Sequence, residues 1–500
     1  MTAAQPDKAI RSVCALGGGI VGLSAALAFA RALPKAKVTV IALPADPAGL
    51  ADRLPSTQPA VGRFHAAIGV DELELVRARI ATHRLATRFE GWGTGGEPWH
   101  HALGGPGASV GDSQFYKAWA KARLAGRAAP YDRHIAAAIL AAEEKFVHPD
   151  ARPGSPLGTY LYALRLDPEP YRARLEAGCD RHGIERTPGA YAGAERREDG
   201  GVVALLLADG RRMEADLFLD CAGPSAPLLS AMGAQFEDWS RWLPADRLLF
   251  GEEKGTGTSP VDAVAAHADG WRWTAPLEER ALTGFAFSSA VADEARARAA
   301  FPGGGEAAAI RPGRRPAPWV RNVLALGDAS VSVDPLEGTN LHLAQSAILR
   351  ALELLPGRDC HALELAEYNR RTEWETLRVR DFIALHYLRS GRGDGPFWAP
   401  LAGREPPETL ALTLEQWERR GRLPFFEEET FDKESWAAVL FGLGIMPRHV
   451  DPVAEGVALE QGAAAIAGHA ERLAALPARL PSYADYLESM RKAPGPQARR

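Results

Sequence analysis

The sequence predicts an α/β fold: a mostly parallel, Rossmann-like sheet joined to a second, mainly helical lobe. Three observations predict it. A short apolar run, Ser12 to Leu16, is followed by a glycine cluster, an Ala/Leu-rich stretch (Ile20 to Leu33) and another apolar run, Val38 to Leu43. That order is the βαβ pattern of a parallel sheet. Two later apolar segments, VVALLL at 202–207 with DLFLDCAG at 216–223, and NVLALGDAS at 322–330, carry strand signals assigned to the same sheet. Beyond Thr372 the text turns helical and rich in Trp, Leu and Arg, up to about Leu487.

In chain order, Pro44 to Pro59 reads as a loop, Asp71 to Arg88 as helical, and the Gly/His/Trp-rich stretch Gly91 to Gly111 as a loop. The alternation of aromatic and polar residues from Pro227 to Gly304 predicts a mixed or antiparallel layer. A helix is expected to begin near Leu341, and the last residues, KAPGPQARR, to be frayed. Five hundred residues are too many for one ordinary core. The expected division is 1–370, an α/β domain assembled from discontinuous stretches with the inserted β layer at about 227–304, and 371–500, a helical Trp-rich substrate lobe.

Composition narrows the function. With 58 basic against 63 acidic residues and a net charge of −5, the chain has no electrostatic reason to hold nucleic acid or an anionic membrane. No run of about 18 apolar residues is present, so no membrane span is expected. The four cysteines are scattered, with neither a disulfide framework nor a CxxC metal pair, and no metal site is assigned. That usage and the lack of a signal-peptide plan in MTAAQPDKAIRS fit the cytoplasm.

GGGIVG at 17–22 places Gly17, Gly19 and Gly22 in the GxGxxG register. The first glycine permits a tight turn, the second lets the backbone approach a pyrophosphate, and the third lets helix pack on strand. With 50 glycines in the chain the string alone is weak, and Gly91, Gly93 and Gly96 match it too. Only the first match follows an apolar strand and opens a helix, which favours dinucleotide binding there. The acidic residue that usually ends the second strand is missing: Ala42 or Leu43 stands in its place, and Asp46 lies past Pro44. GDAS at 327–330 supplies Gly327 and Asp328, a pair that can place a carboxylate on a flavin ribityl hydroxyl. The alternative is a strand-ending turn with Asp328 as a cap. The order and distance of the two motifs favour FAD. WRWTAP at 271–276 puts two tryptophans on one face of a strand, as a core pair or as a wall beside a flavin.

On these segments the chain resembles the flavin-dependent tryptophan halogenases over nearly its whole length. GGGIVG is similar to the family's FAD fingerprint, and WRWTAP followed by LEERALTGFAFSS to its WxWxIP signature. DLFLDCAG, GDASVSVDPLEGTNLH, RDFIALHYLRSGRGDGPFW (380–398) and SWAAVLFGLGIMP (435–447) resemble family segments in order. The resemblance implies a two-component oxidoreductase. A separate reductase supplies FADH2, oxygen gives a flavin hydroperoxide, and chloride or bromide becomes hypohalous acid, which halogenates an aromatic substrate. A second copy of the chain is a further candidate partner.

Carried onto this sequence, the resemblance makes Glu337 the catalytic carboxylate and Pro335 and Leu336 flavin neighbours. The halide-holding Ser-Thr-Gly becomes Gly338-Thr339-Asn340, so Thr339 and Asn340 would seat the halide, with Asn340 tolerating the positive φ of the lost glycine. The catalytic lysine aligns with Arg84 in THRLATRFEGW (82–92). A guanidinium stays charged and is planar, so it substitutes poorly for an ammonium and would anchor oxidant or substrate charge instead. The GEATxP loop reads LPSTQP (54–59), keeping Thr57 and Pro59 but not Gly-Glu. His101, His83 and His342 are candidate contacts, with His101 and His83 assigned to substrate. Two alternatives stay open: a monooxygenase that uses no halide, and a ligand-binding descendant with little flavin.

Overall fold

A computed structural model describes residues 9–492 except 151, 153, 154, 159 and 256. Of the frayed tail expected over 492–500, Lys492 closes the helix Tyr483–Lys492 and the rest lies outside the described residues. The chain divides into two compact units. Among the described residues, one takes 9–71, Asp167–Arg241 and Ala308–Thr376; the other takes Glu72–Leu166, Trp242–Ala307 and 377–492. The boundary drawn at 370 from sequence falls inside a single helix, Ala362–Leu388. Most of the β layer expected within the first domain, from Trp242 on, belongs to the second unit.

The first unit is built on a six-stranded sheet. Its spatial order is Trp319–Val320, Val323–Ala325, Leu217–Asp220, Ser12–Leu16, Lys37–Ala42 and Glu185–Pro188. All neighbours are parallel except the short hairpin at Trp319–Val320. The central strands Val323–Ala325, Leu217–Asp220 and Ser12–Leu16 are mostly apolar and buried, as in a sheet covered on both faces, whereas the edge strand Glu185–Pro188 is polar and partly exposed. After Ser12–Leu16 the chain pairs first to one side (Lys37–Ala42) and later to the other (Leu217–Asp220). The topological switch, where such sheets open a crevice for ligands, is therefore at the end of Ser12–Leu16.

VVALLL does not join this sheet. Val202–Leu207 pairs antiparallel with Tyr191–Arg196 and Arg212–Glu214 in a three-stranded sheet of its own. Val202, Leu205 and Leu207 share one apolar cluster with Cys14, Leu16, Ile41, Phe218 and Val323 of the parallel sheet. The run is apolar because it packs on that sheet, which a sequence cannot distinguish from pairing within it.

The second unit carries a seven-stranded sheet in the order Gly304–Ala309, Arg247–Lys254, Arg280–Phe287, Gly270–Pro276, Val261–His267, Ala86–Glu90 and Trp99–Ala102. The expected antiparallel layer is its centre, with Val261–His267 running parallel to Ala86–Glu90. Two expectations fail here. The helix expected from Asp71 to Arg88 stops at Arg77 and gives way to strands Ala81–Arg84 and Ala86–Glu90. The loop expected from 91 to 111 contains the strand Trp99–Ala102, fixed by pairing Thr87 with His101. Residues 81–90 are drawn into strands by partners distant in sequence, 163–166 and 261–265, and Trp99–Ala102 then pairs with Ala86–Phe89. The helices Glu408–Arg420, Lys433–Gly442, Leu459–Ala474 and Tyr483–Lys492 complete the unit. Among the described residues no helix is long and apolar enough to cross a membrane, and all four cysteines are free and buried.

Candidate flavin and halogenation site

The glycine turn behaves as its spacing requires. Gly17 adopts φ +131°, and a side chain there would overlap the Cys221 carbonyl just past the adjacent strand. The helix Ile20–Ala32 follows and carries Gly22 in its first turn. Its leading N–H groups have no partner within the helix, and the aligned peptide dipoles make that end attractive to anions. An anion of the chain's own already sits there. Asp52, on the short turn Leu50–Asp52, accepts a hydrogen bond from the Val21 N–H at 2.8 Å, and a Cβ on Gly19 would overlap its carboxylate. Burial pushes the Asp52 carboxyl up to about 6, against hydrogen bonds from Val21 and Ile20. Asp46, the other acid near this turn, instead accepts from the Ala48 N–H at 2.9 Å and closes its own loop.

The Gly-Asp turn meets the same segment. Gly327 lies at φ +61°, beside the Val21 side chain. Asp328 is buried, and its Oδ2 accepts from the Ala51 N–H at 2.8 Å. It therefore caps the Leu50–Asp52 turn across 277 positions rather than its own strand end. Its Oδ1 is buried with no hydrogen-bond partner. Burial raises the Asp328 carboxyl to about 7; the Ala51 N–H opposes this and the Asp52 charge adds to it.

FAD fits these residues on two grounds: a helix N-terminus that demonstrably accepts a carboxylate, and a buried carboxylate oxygen with spare acceptor capacity for a hydroxyl. Asp52 must withdraw for a diphosphate to take its place.

The turn Leu336–Gly338 follows. Pro335 leads into it at φ −68°, and Leu336 is fully buried. Asp334 Oδ1 accepts from the Leu336 N–H at 3.1 Å. Glu337 is 2% exposed and sits at φ +64°, ψ 0°, in the left-handed region, with its carbonyl accepting from Gln58 Nε2 at 2.6 Å. Gly338 is also left-handed, at φ +65°. Thr339 is buried at φ −92°, and its hydroxyl has no hydrogen-bond partner. Asn340 opens the helix Asn340–Glu353 and donates Nδ2 to the Val333 carbonyl at 2.7 Å. The positive φ expected at Asn340 is thus carried two and three residues earlier. Asn340 is free to be helical because Glu337 and Gly338 make the turn.

The first unit therefore brings together Gly17, Gly19, Gly22, Gly327, Asp328, Pro335, Leu336, Glu337, Thr339 and Asn340. The segment 50–58 joins both motifs, through Asp52 at one and Gln58 at the other. Sequence reasoning missed both residues. The only available signal was the position of LPSTQP.

The second unit holds the remaining candidates. Arg84 is 1% exposed; its Nε pairs with Asp262 Oδ2 at 2.7 Å and its Nη2 donates to Thr87 Oγ1 at 2.6 Å. Arg165 pairs with the other Asp262 oxygen at 2.6 Å and donates to the carbonyls of Ser259 and Pro276. Two guanidiniums thus share one buried carboxylate and fix the direction of Arg84. His101 is buried beside Phe382 and Phe431. His83 is fully buried, stacked on Phe146 at 4.0 Å, with Nε2 3.3 Å from Glu72. His342, in the first unit, faces Glu375 at 3.6 Å. Trp271 and Trp273 are both buried, and Trp271 Nε1 donates to the Tyr387 hydroxyl at 2.8 Å, so the pair is part of the core.

Comparison with known proteins converges on one family. Residues 12–459 match the family described as tryptophan halogenase. BrvH, a flavin-dependent halogenase from Brevundimonas sp. BAL3, is 35% identical and superimposes with a TM-score of 0.91 over 97% of this chain and 100% of its own. Xcc4156, a flavin-dependent halogenase from Xanthomonas campestris, gives 32% and 0.90 over 98% and 100%. The tryptophan 6-halogenase ThaL of Streptomyces albogriseolus is 28% identical over 89% of this chain and 92% of its own. Such enzymes use FAD reduced by a separate reductase, oxygen and a halide. With the fingerprint, the Gly-Asp turn and the glutamate turn all in place, the chain belongs to the tryptophan halogenase family.

Proposed function

We propose that this enzyme halogenates an indole-type aromatic ring with chloride or bromide, in the cytoplasm, with Glu337 as the base. The observation that carries the reading is the conformation of Glu337: a buried carboxylate on a left-handed residue of a tight turn, beside a buried threonine hydroxyl with unused hydrogen-bonding capacity. Bound FADH2 supplies the two electrons that, with oxygen, turn halide into an electrophile. The chain's own residues do the rest. The N–H groups behind Gly17, Gly19 and Gly22 hold the diphosphate, and Asp328 Oδ1 accepts from a ribityl hydroxyl. Pro335 and Leu336 border the flavin, and Thr339 and Asn340 seat the halide. As the ring carbon gains halogen, Glu337 takes the ring proton. Arg84, fixed by Asp262, offers a permanent positive charge to oxidant or substrate, and His101 contacts substrate.

The commitment of Arg84 to Asp262 favours a second reading, direct oxygen transfer without halide. One assay separates the two. With a flavin reductase, bromide and an indole probe, a brominated product identified by mass supports halogenation, whereas a hydroxylated product made equally well without bromide supports the alternative. Glu337→Gln is expected to abolish bromination with FAD binding intact; an unaltered yield removes Glu337 from the reaction.

A further inference from the structure

Within the second unit, Glu72, His83 and His148 converge. Nε2 of His148 lies 3.0 Å, and Nε2 of His83 3.3 Å, from the same oxygen, Glu72 Oε1. One ligand-type atom from each residue lies within 4.8 Å of the others. The imidazole rings meet edge to face, with centroids 5.3 Å apart. A tetrahedral zinc ion with bonds of about 2.0–2.2 Å separates neighbouring ligand atoms by about 3.3–3.5 Å. The two separations to Glu72 Oε1 fall close to that spacing, and the third, between the histidines, is within 4.8 Å.

The surroundings are those that orient metal ligands. Tyr162 holds the Glu72 carboxylate with its hydroxyl, 3.0 Å from Oε2 and 3.2 Å from Oε1. The far ring nitrogens also have partners: His83 Nδ1 lies 3.1 Å from the Tyr483 hydroxyl, and His148 Nδ1 2.5 Å from that of Tyr486. A tautomer with Nδ1–H donating to tyrosine leaves each Nε2 lone pair aimed at the centre, as ligating histidines require. The Glu72 and His148 side chains are 25% and 37% exposed, so an ion reaches the cluster from solvent and water can complete its shell.

We propose that Glu72, His83 and His148 form a divalent transition-metal site, with Zn2+ as the ion it takes. Two imidazoles and one carboxylate suit zinc rather than magnesium or calcium, which prefer all-oxygen shells. The bound ion ties together the helix Glu72–Arg77, the strand Ala81–Arg84, the chain at His148 and, through the tyrosines, the terminal helix Tyr483–Lys492. The site is independent of the flavin chemistry and stands or falls without it.

The test is a titration of chelator-stripped full-length protein with ZnCl2, read by calorimetry, by metal content after desalting, and by visible absorption after Co2+ substitution. Wild type is expected to bind one equivalent, to show cobalt d–d bands and to melt at higher temperature with zinc. His148→Ala and Glu72→Gln should weaken zinc at least 10-fold, while His449→Ala, at an exposed histidine elsewhere, should not. Circular dichroism checks that the variants fold. Absence of a one-equivalent site in wild type overturns the proposal whatever the variants do, as does equal zinc affinity in folded His148→Ala or folded Glu72→Gln.

Discussion

Asp52→Ala is expected to tighten FAD binding. The Asp52 carboxylate caps the helix Ile20–Ala32 through the Val21 N–H at 2.8 Å. A carboxylate at a helix N-terminus, or its loss to alanine, is worth about 1 kcal/mol. The diphosphate claims the same N–H groups, so the bound state does not enjoy that stabilisation. Removing Asp52 therefore raises the free state by about 1 kcal/mol and leaves the bound state nearly unchanged, which lowers the FAD dissociation constant about 5-fold. Loss of the negative charge beside two phosphates acts in the same direction. Flavin fluorescence quenching measures the affinity, and differential scanning calorimetry without flavin should show a lower melting temperature. A variant that binds FAD more weakly than wild type would refute the argument, because Asp52 would then be helping rather than competing.

The remaining predictions concern charge. Asp328 has a folded pKa of about 7, above the ordinary aspartate value, so between about pH 4 and 7 the folded state holds more protons than the unfolded one. Stability from this carboxyl is present at low pH and falls as pH rises through that window; Asp328→Asn should flatten this part of the flavin-free stability profile, and an unchanged slope contradicts the assignment. Arg84→Lys should raise bromination of an indole probe in the reductase-coupled assay, since an ammonium offers one compact, titratable donor. An unchanged rate with flavin still bound removes Arg84 from the reaction.

What could be read from the sequence follows from how local each signal is. GGGIVG, DLFLD and NVLALGD are legible because strand, turn and helix follow within a few residues, and burial on both faces writes them as continuous apolar runs. VVALLL carries the same text for another reason, packing on the sheet face, and composition cannot separate the two. The strand character of Ala81–Arg84 depends on residues 163–166 and that of Ala86–Glu90 on 261–265, pairing partners far along the chain; His101 in turn pairs with Thr87. The same distance hides the Arg84–Asp262–Arg165 cluster. Asp52 and Gln58 were illegible because their roles are defined by the Val21 amide and the Glu337 carbonyl, contacts that no periodicity encodes. At Asn340 the expected positive φ is not found: the turn puts its left-handed residues at Glu337 and Gly338, whose roles depend on contacts with 56–58 far along the chain.

The backbone at Glu337 has one more implication. An L-residue with a side chain pays about 1–2 kcal/mol to adopt this conformation, which glycine enters freely. Glu337→Gly should therefore relax the main chain and raise the melting temperature while erasing turnover, so that durability and chemistry move in opposite directions at a single position.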